Sequence, residues 1–155
     1  MRGLAVATVH VSRVRIIATL VILVGGILIA AGVVTWFAVR SQLAAEHITV
    51  SQDASAFAGD EVDGPFTAYV EANTIEKHAL DATGGKTYAE LAQNDPKRQT
   101  AMTASFLRAS LYTSVVAFGV AAMAAAIGVV LILIGWALRS VVETDVRMTS
   151  PPTTA

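Results

Sequence analysis

The chain of 155 residues contains no cysteine, and it carries no charged side chain over two long stretches, residues 16–39 and 109–138. Without cysteine, disulfide bonds, thiolate metal sites and a cysteine nucleophile are all excluded. Charged residues make up 15% of the chain, whereas they make up about a quarter of an average soluble domain. The composition therefore lies outside the usual range of soluble proteins.

The two uncharged stretches are long enough to cross a lipid bilayer. They contain 24 and 30 residues, whereas a spanning helix needs about 20 apolar residues. We therefore predict an all-α membrane protein in which residues 16–39 and 109–138 form an antiparallel hairpin of two transmembrane helices. The other predicted segments are a cytoplasmic N-terminal segment, residues 1–15, a small helical extracytoplasmic module, residues 40–108, and a disordered cytoplasmic tail, residues 139–155.

A cleaved signal peptide is the alternative interpretation of the first stretch, because arginines precede it. Its apolar run of 24 residues exceeds the roughly 7 to 15 residues of a signal h-region. The following Leu43-Ala44-Ala45 also lacks the small-x-small pattern of a cleavage site. A retained membrane helix is therefore favoured, and cleavage would leave a one-pass protein with its module still outside.

The placement of arginine predicts the orientation. Arg2, Arg13 and Arg15 precede the first span with no acidic residue among them, and Arg139 follows the second span. Positive charge beside a span favours the cytoplasmic side. We expect a plasma-membrane protein with both termini in the cytoplasm and residues 40–108 outside.

The segment between the spans contains ten acidic and six basic residues, which gives it a net charge of −4. Binding to nucleic acid requires clustered Lys and Arg. A nucleic-acid partner is therefore not expected.

The spans contain small residues at four-residue steps, with a last step of three residues to Gly128, which predicts where they pack. Helices in hydrocarbon associate through close approach of their backbones, which small side chains allow. Neither span contains Asp, Glu, Lys, Arg or His, the residues that transporters place within the membrane, so a channel or carrier is not favoured. The predicted packing seam consists of Gly26, Ala30, Thr113, Ala117, Ala121, Ala125 and Gly128.

Proline and glycine mark the predicted helices of the module. Pro65 is expected at the start of a helix that Gly84 and Gly85 end. A short helix is expected over residues 88–93, followed by a long helix from Pro96 to about residue 141 that protrudes from the membrane and has Asp95 as its N-cap. The helix that begins at Pro65 is predicted to dock on the long helix. The predicted docking face consists of Phe66, Tyr69, Met102 and Phe106.

Three motifs of the module resemble sites for calcium, for another metal ion and for phosphate. For each, an ordinary surface feature is the favoured interpretation: a solvated acidic turn, surface histidines and a helix-ending turn. The acidic residues of 60–63 do not match the ligand spacing of an EF-hand loop. His47 and His78 lack the regular spacing of a metal site. The Gly-Gly-Lys-Thr of residues 84–87 has Leu80 where a phosphate-binding loop requires glycine. We therefore predict no catalytic residue, no metal and no cofactor.

Residues 84–91 (Gly-Gly-Lys-Thr-Tyr-Ala-Glu-Leu), Asp95-Pro96 and residues 104–111 (Ala-Ser-Phe-Leu-Arg-Ala-Ser-Leu) resemble a family of small actinobacterial two-pass membrane proteins of uncharacterised function. The resemblance covers both spans and the module. Some members carry the label of aromatic ring-opening dioxygenase, whose chemistry requires iron held by histidine and carboxylate ligands. Too few histidines converge here for such a site, so the resemblance implies no catalytic residues for this chain.

The sequence therefore favours a non-enzymatic accessory or scaffold subunit that binds a cell-envelope complex through its module and its helix faces. The expected partners are the lipid bilayer and a membrane or envelope protein, or a second copy of the chain. The alternative is a module that binds a lipid or a small ligand in a groove between the helix that begins at Pro65 and the protruding helix. An enzyme acting at the outer surface is a third, weaker hypothesis.

Overall fold

The structure, a computed structural model, describes the backbone of residues 2–149 and the side chains of residues 13–141. Within this part of the chain there are three α-helices and no β-strand. The predicted all-helical class is confirmed for these residues. The helices are α1 (Arg2–Ala45), α2 (Pro65–Thr83) and α3 (Arg98–Thr149).

Helices α1 and α3 contain the two apolar stretches. Both are long and apolar enough to cross a membrane, and only 17% of the most apolar window of each is buried. The core helix of a soluble protein would instead be mostly buried. The two helices are therefore consistent with a membrane protein.

Both long helices extend past the predicted spans. α1 continues to Ala45, and α3 continues to Thr149, because no proline interrupts either of them. Residues 139–149 are therefore helical, which corrects the predicted disordered tail, whereas residues 150–155 lie outside the described residues.

The start of α3 lies at Arg98, two residues after the predicted start at Pro96. The side chain of Asp95 accepts a hydrogen bond of 2.9 Å from the backbone N–H of Lys97. Asp95 therefore satisfies a backbone donor in the turn before α3. The residue that immediately precedes the helix is Lys97, whose carbonyl accepts from the N–H of Ala101 at 3.1 Å, so the predicted N-cap position is displaced by two residues.

The arginines that predicted the orientation flank the uncharged stretches within the long helices, since Arg13 and Arg15 precede the first stretch in α1 and Arg139 follows the second in α3. The side chains of Arg13, Arg15 and Arg139 are exposed. The side chain of Arg2 lies outside the described residues.

The chain divides into two compact units. The first comprises Met1–Val33 and Ala122–Ala155, and the second comprises Val34–Ala121.

In the first unit, α1 and α3 contact each other through glycine. A Cβ atom on Gly25 would lie 2.6 Å from the carbonyl oxygen of Gly128, and one on Gly135 would lie 2.8 Å from that of Ala18. Only a residue without a side chain permits such an approach.

These contacts correct the α1 side of the predicted seam. Gly26 and Ala30 are exposed, and a Cβ on Gly26 would meet no atom within 4 Å. Adjacent residues of a helix point about 100° apart, so Gly25 faces α3 and Gly26 faces away. On α3, Ala121 and Gly128 are buried, Ala117 and Ala125 are partly buried, and Thr113 is exposed.

In the second unit, residues 46–64 form an irregular segment that folds back on itself. The backbone N–H of Val50 donates to the carbonyl of Asp60 at 2.8 Å, and that of Val62 donates to the carbonyl of Ile48 at 2.9 Å. These bonds place two valines in the core, because both become buried. The core of this unit consists of Leu43, Val50, Val62, Ala68, Ala72, Leu111 and Phe118.

The ends of α2 agree with the prediction. Pro65 is the first residue of the helix, where its missing N–H has no intrahelical partner to lose. Gly84 ends the helix with φ at +71°, a conformation that glycine adopts without strain. The N–H of Gly85 then donates to the carbonyl of Leu80 at 2.7 Å.

The short helix predicted over residues 88–93 is wrong, since these residues form turns. The carboxylate of Glu90 accepts hydrogen bonds of 2.8 Å from both the N–H and the hydroxyl of Thr87, which holds the pKa of Glu90 below its usual value. The guanidinium of Arg98 donates to the carbonyl of Leu91 at 2.6 Å. A segment this short gains too few helical bonds to offset nucleation, and these side-chain bonds stabilise the turn instead.

Candidate binding groove

A groove runs between α2 and α3 in the second unit. Its larger part is a cavity of about 550 Å³, and an adjoining cavity of about 380 Å³ lies beside the end of α1, where Leu43 lines it. Ile75 and Leu107 border both cavities. The larger cavity is lined by small and apolar side chains, among them Ala79, Ala82, Thr100, Thr103 and Ala104.

Three contacts between α2 and α3 hold the two walls of the groove. The hydroxyl of Tyr112 donates to the side-chain oxygen of Asn73 at 2.8 Å, and the rings of Tyr69 and Tyr112 meet edge to face at 6.0 Å. Further along, the guanidinium of Arg108 pairs with the carboxylate of Glu76 at 2.7 Å. The contacting residues have rising numbers along α2, from 69 to 76, and falling numbers along α3, from 112 to 108. The two helices therefore run antiparallel.

The predicted docking face between these helices is only partly correct. Tyr69 contacts α3 through Tyr112, and Met102 is half-buried. Phe66 and Phe106 are 75% and 68% exposed, so the structure does not place them in the contact. Phe66 lies about 200° around α2 from Ala68, which is fully buried, so its ring points away from the core. The buried residues are instead Ala68 and Ala72 of α2 and Ala101 and Leu111 of α3.

Glu71 is a buried charged residue that the sequence analysis missed. It is only 5% exposed, and its carboxylate accepts hydrogen bonds from the N–H of Ser51 at 2.7 Å and from the hydroxyl of Ser51 at 2.9 Å. It also lines the smaller cavity. The signal was present in the sequence, because Glu71 interrupts the apolar face that Ala68 and Ala72 define.

A second link joins the segment 46–64 to α2 at the rim of the larger cavity. His78 lines that cavity, and its Nε2 lies 2.9 Å from a carboxylate oxygen of Asp53. The ammonium of Lys77 lies 3.3 Å from the same carboxylate. The hydrogen bond from His78, and next that from Lys77, lower the pKa of Asp53 below its usual value, because both partners favour the ionised carboxylate.

The other candidate residues of the sequence analysis lie apart from the groove. His47 is exposed and has a φ of +51° just after α1. Asp63 pairs with Arg40 at 2.5 Å, so one carboxylate of the acidic turn is already neutralised by a guanidinium. Among the residues that the structure describes, no group of three His, Asp or Glu side chains could hold a metal ion.

The groove can accommodate an apolar guest, since alanine, threonine and aliphatic side chains dominate its lining. Comparison of the chain with protein-family models, with curated proteins and with solved structures found no match. The chain is an all-helical protein, over the residues described, with two helices that could cross a membrane.

Proposed function

We propose that the chain is a two-pass plasma-membrane protein and a non-enzymatic accessory or scaffold subunit of a cell-envelope complex. α1 and α3 form an antiparallel transmembrane hairpin, both termini are cytoplasmic, and residues 40–108 form an extracytoplasmic module. The groove between α2 and α3 receives a helix of the partner protein. The observation that carries this proposal is the open groove between two antiparallel helices.

The lining of the groove supports a helical partner. Helices pack closely where small side chains leave grooves for the ridges of a neighbouring helix. Ala79 and Ala82 on α2 face Thr103 and Ala104 on α3 across the larger cavity. A helix laid along this groove would complete a bundle of three helices.

The position of α1 supports the same interpretation. α1 ends at Ala45, and Leu43 in its last turn lines only the smaller cavity. Among the α1 residues whose side chains the structure describes, 13–45, none lines the larger cavity. The third position of the bundle is therefore open beside α2 and α3, at least for the part of this chain that the structure describes.

The test is a crosslinked pull-down of the tagged protein from native membranes, with crosslink positions read by mass spectrometry. We expect reproducible crosslinks from Lys77, Lys86 or Lys97 to one envelope protein. The variant Ala104→Trp, which fills the groove, should lose them. The control Ala109→Trp places the same ring at an exposed position of α3 and should retain them.

Purification from mild detergent is the experiment that can contradict the accessory-subunit proposal. A monomer that carries no other protein, under conditions in which the crosslinker reacts with these lysines, would contradict the accessory-subunit proposal.

The second candidate function is the binding of a lipid or another small apolar ligand in the same groove. The volumes of about 550 and 380 Å³ lie within the range of about 300–1,000 Å³ that small-molecule sites occupy. Native mass spectrometry of the purified protein separates the two candidates. A bound small molecule that Ala104→Trp displaces, without a protein partner, would favour ligand binding.

A further inference from the structure

Aromatic side chains concentrate around the outer end of the first predicted span. The rings of Trp36 and Phe118 meet edge to face with 4.7 Å between their centroids, and the rings of Tyr69 and Tyr112 meet in the same way. Six of the chain's ten aromatic residues belong to this group, which we call the aromatic collar. It comprises Trp36, Phe37, Phe66, Tyr69, Tyr112 and Phe118.

An ion pair places the start of α2 at the level of this collar. The guanidinium of Arg40 donates to a carboxylate oxygen of Asp63 from Nη2 at 2.5 Å and from Nε at 3.0 Å. Pro65 opens α2 two residues after Asp63. Arg40 itself lies only one helical turn, about 6 Å, beyond Trp36. The first turn of α2 is therefore held beside the end of the first apolar stretch.

The first turn of α2 exposes large aromatic side chains. Phe66 is 75% exposed and Tyr69 is 52% exposed, and Phe37 on α1 is 61% exposed. Phe66 lies on the side of α2 opposite Ala68, which is fully buried. The ring of Phe66 therefore contributes little to the core of the module and is accessible for a contact outside it.

We infer that this partner is the bilayer, and that the first turn of α2 inserts Phe66 and Tyr69 into the outer headgroup region as a third membrane contact. This inference rests on the proposed transmembrane arrangement of α1 and α3. Tyrosine is enriched at the level of lipid headgroups, where one end of its ring is apolar and the other is wet. Phenylalanine on an interfacial helix buries its ring at the boundary between headgroups and acyl chains. Phe37 lies three residues before Arg40, and Phe66 lies three residues after Asp63, so each exposed ring lies three residues from one member of this ion pair.

The proposed membrane contact at Phe66 is separate from the larger cavity of the groove. Phe66 lies nine residues before Ile75, the first α2 residue that lines the larger cavity, a distance of about 14 Å along the helix. α2 then leads away from the headgroups, and the larger cavity lies on its distal half. The contact at Phe66 would thus orient the groove relative to the membrane surface.

The absence of cysteine makes site-specific labelling direct. The variant Phe66→Cys is labelled with an environment-sensitive fluorophore and reconstituted into vesicles of phosphatidylcholine and phosphatidylglycerol, with or without nitroxide lipids that quench at headgroup depth. The matched control is Asp81→Cys, which is exposed on the same helix, about 22 Å further along it. A second control, Leu23→Cys, labels an exposed position within the first span.

We expect the shallow nitroxide lipid to quench the label at position 66 at least about twofold more than the label at position 81, because only the former lies among headgroups. A deep nitroxide lipid should quench the label at position 23. If position 23 is not quenched, the transmembrane proposal fails, and the inference with it. If position 23 is quenched while position 66 behaves like position 81, the span stands and the inference is overturned. Shielding of position 66 from aqueous iodide without quenching by lipid would indicate a protein neighbour and would also overturn it.

Discussion

The backbones of Gly25 and Gly128 lie against each other without any side chain between them. A Cβ on Gly25 would lie 2.6 Å from the carbonyl oxygen of Gly128, and a Cβ on Gly128 would lie 2.5 Å from the carbonyl oxygen of Gly25. The relationship is reciprocal, so neither residue can carry a side chain unless the two helices separate. Because the obstacle is backbone, no side-chain rotation can relieve it.

Gly25→Ala should therefore destabilise the contact between α1 and α3, by about 1–3 kcal/mol, the usual cost of overpacking. The matched control is Gly26→Ala, where a Cβ meets open space. That change should be neutral or should stabilise the helix by up to about 1 kcal/mol, the difference in helix propensity between alanine and glycine. Unfolding by SDS in mixed micelles, followed by circular dichroism, measures both variants. Equal effects at the two positions would contradict the glycine contact.

Glu71→Ala should loosen the segment 46–64, because the N–H and the hydroxyl of Ser51 both lose their acceptor. Leaving buried donors unpaired costs about 1–3 kcal/mol. Ser51→Ala should cost less, since its N–H still donates to Glu71. Limited proteolysis of the segment 46–64 provides the measurement, with Glu61→Ala as the control at an exposed acidic residue. Cleavage of Glu71→Ala no faster than that of Glu61→Ala would show that the link does not hold the segment.

The link between Asp53 and α2 should weaken in acid. The pKa of Asp53 is held below its ordinary value of 3.8 by His78 and Lys77. A carboxyl group whose pKa is lowered in the folded state stabilises that state above the ordinary value, and this contribution is lost as the pH falls through the lowered pKa. Asp53→Asn should therefore lower stability at neutral pH.

The difference between wild type and Asp53→Asn should shrink below pH 3.8, because the wild-type carboxyl then becomes protonated. Thermal unfolding in detergent at several pH values measures the difference. A difference that stays constant down to acid pH would show that ionisation of Asp53 does not matter for stability.

The proposed orientation predicts the labelling of single cysteines in intact cells. A membrane-impermeant thiol reagent should modify Lys86→Cys, in the exposed turn after α2, without permeabilisation. A cysteine appended after Ala155 should react only after the membrane is permeabilised. Reaction of both positions in intact cells would contradict the two-pass topology, and the reverse pattern would invert it.

Features that depend on local interactions could be predicted from the sequence. The all-helical class follows from long apolar stretches without charge or proline, and the ends of α2 follow from Pro65 and Gly84, whose effects on the backbone operate within one turn. The turn over residues 88–93 was mispredicted, because its stability comes from side-chain hydrogen bonds of Thr87, Glu90 and Arg98 rather than from helix propensity.

The sequence by itself thus determined the apolar character of the two long helices and the ends of α2, since these depend on hydropathy and on breakers that act nearby. Only the tertiary structure decided that Gly25 rather than Gly26 meets α3. The two adjacent residues are identical and differ only in the direction in which they face from the helix. It also decided the pairing of Glu71 with Ser51 and the groove between α2 and α3. Each of these joins residues far apart in the chain, and so each depends on how the helices pack.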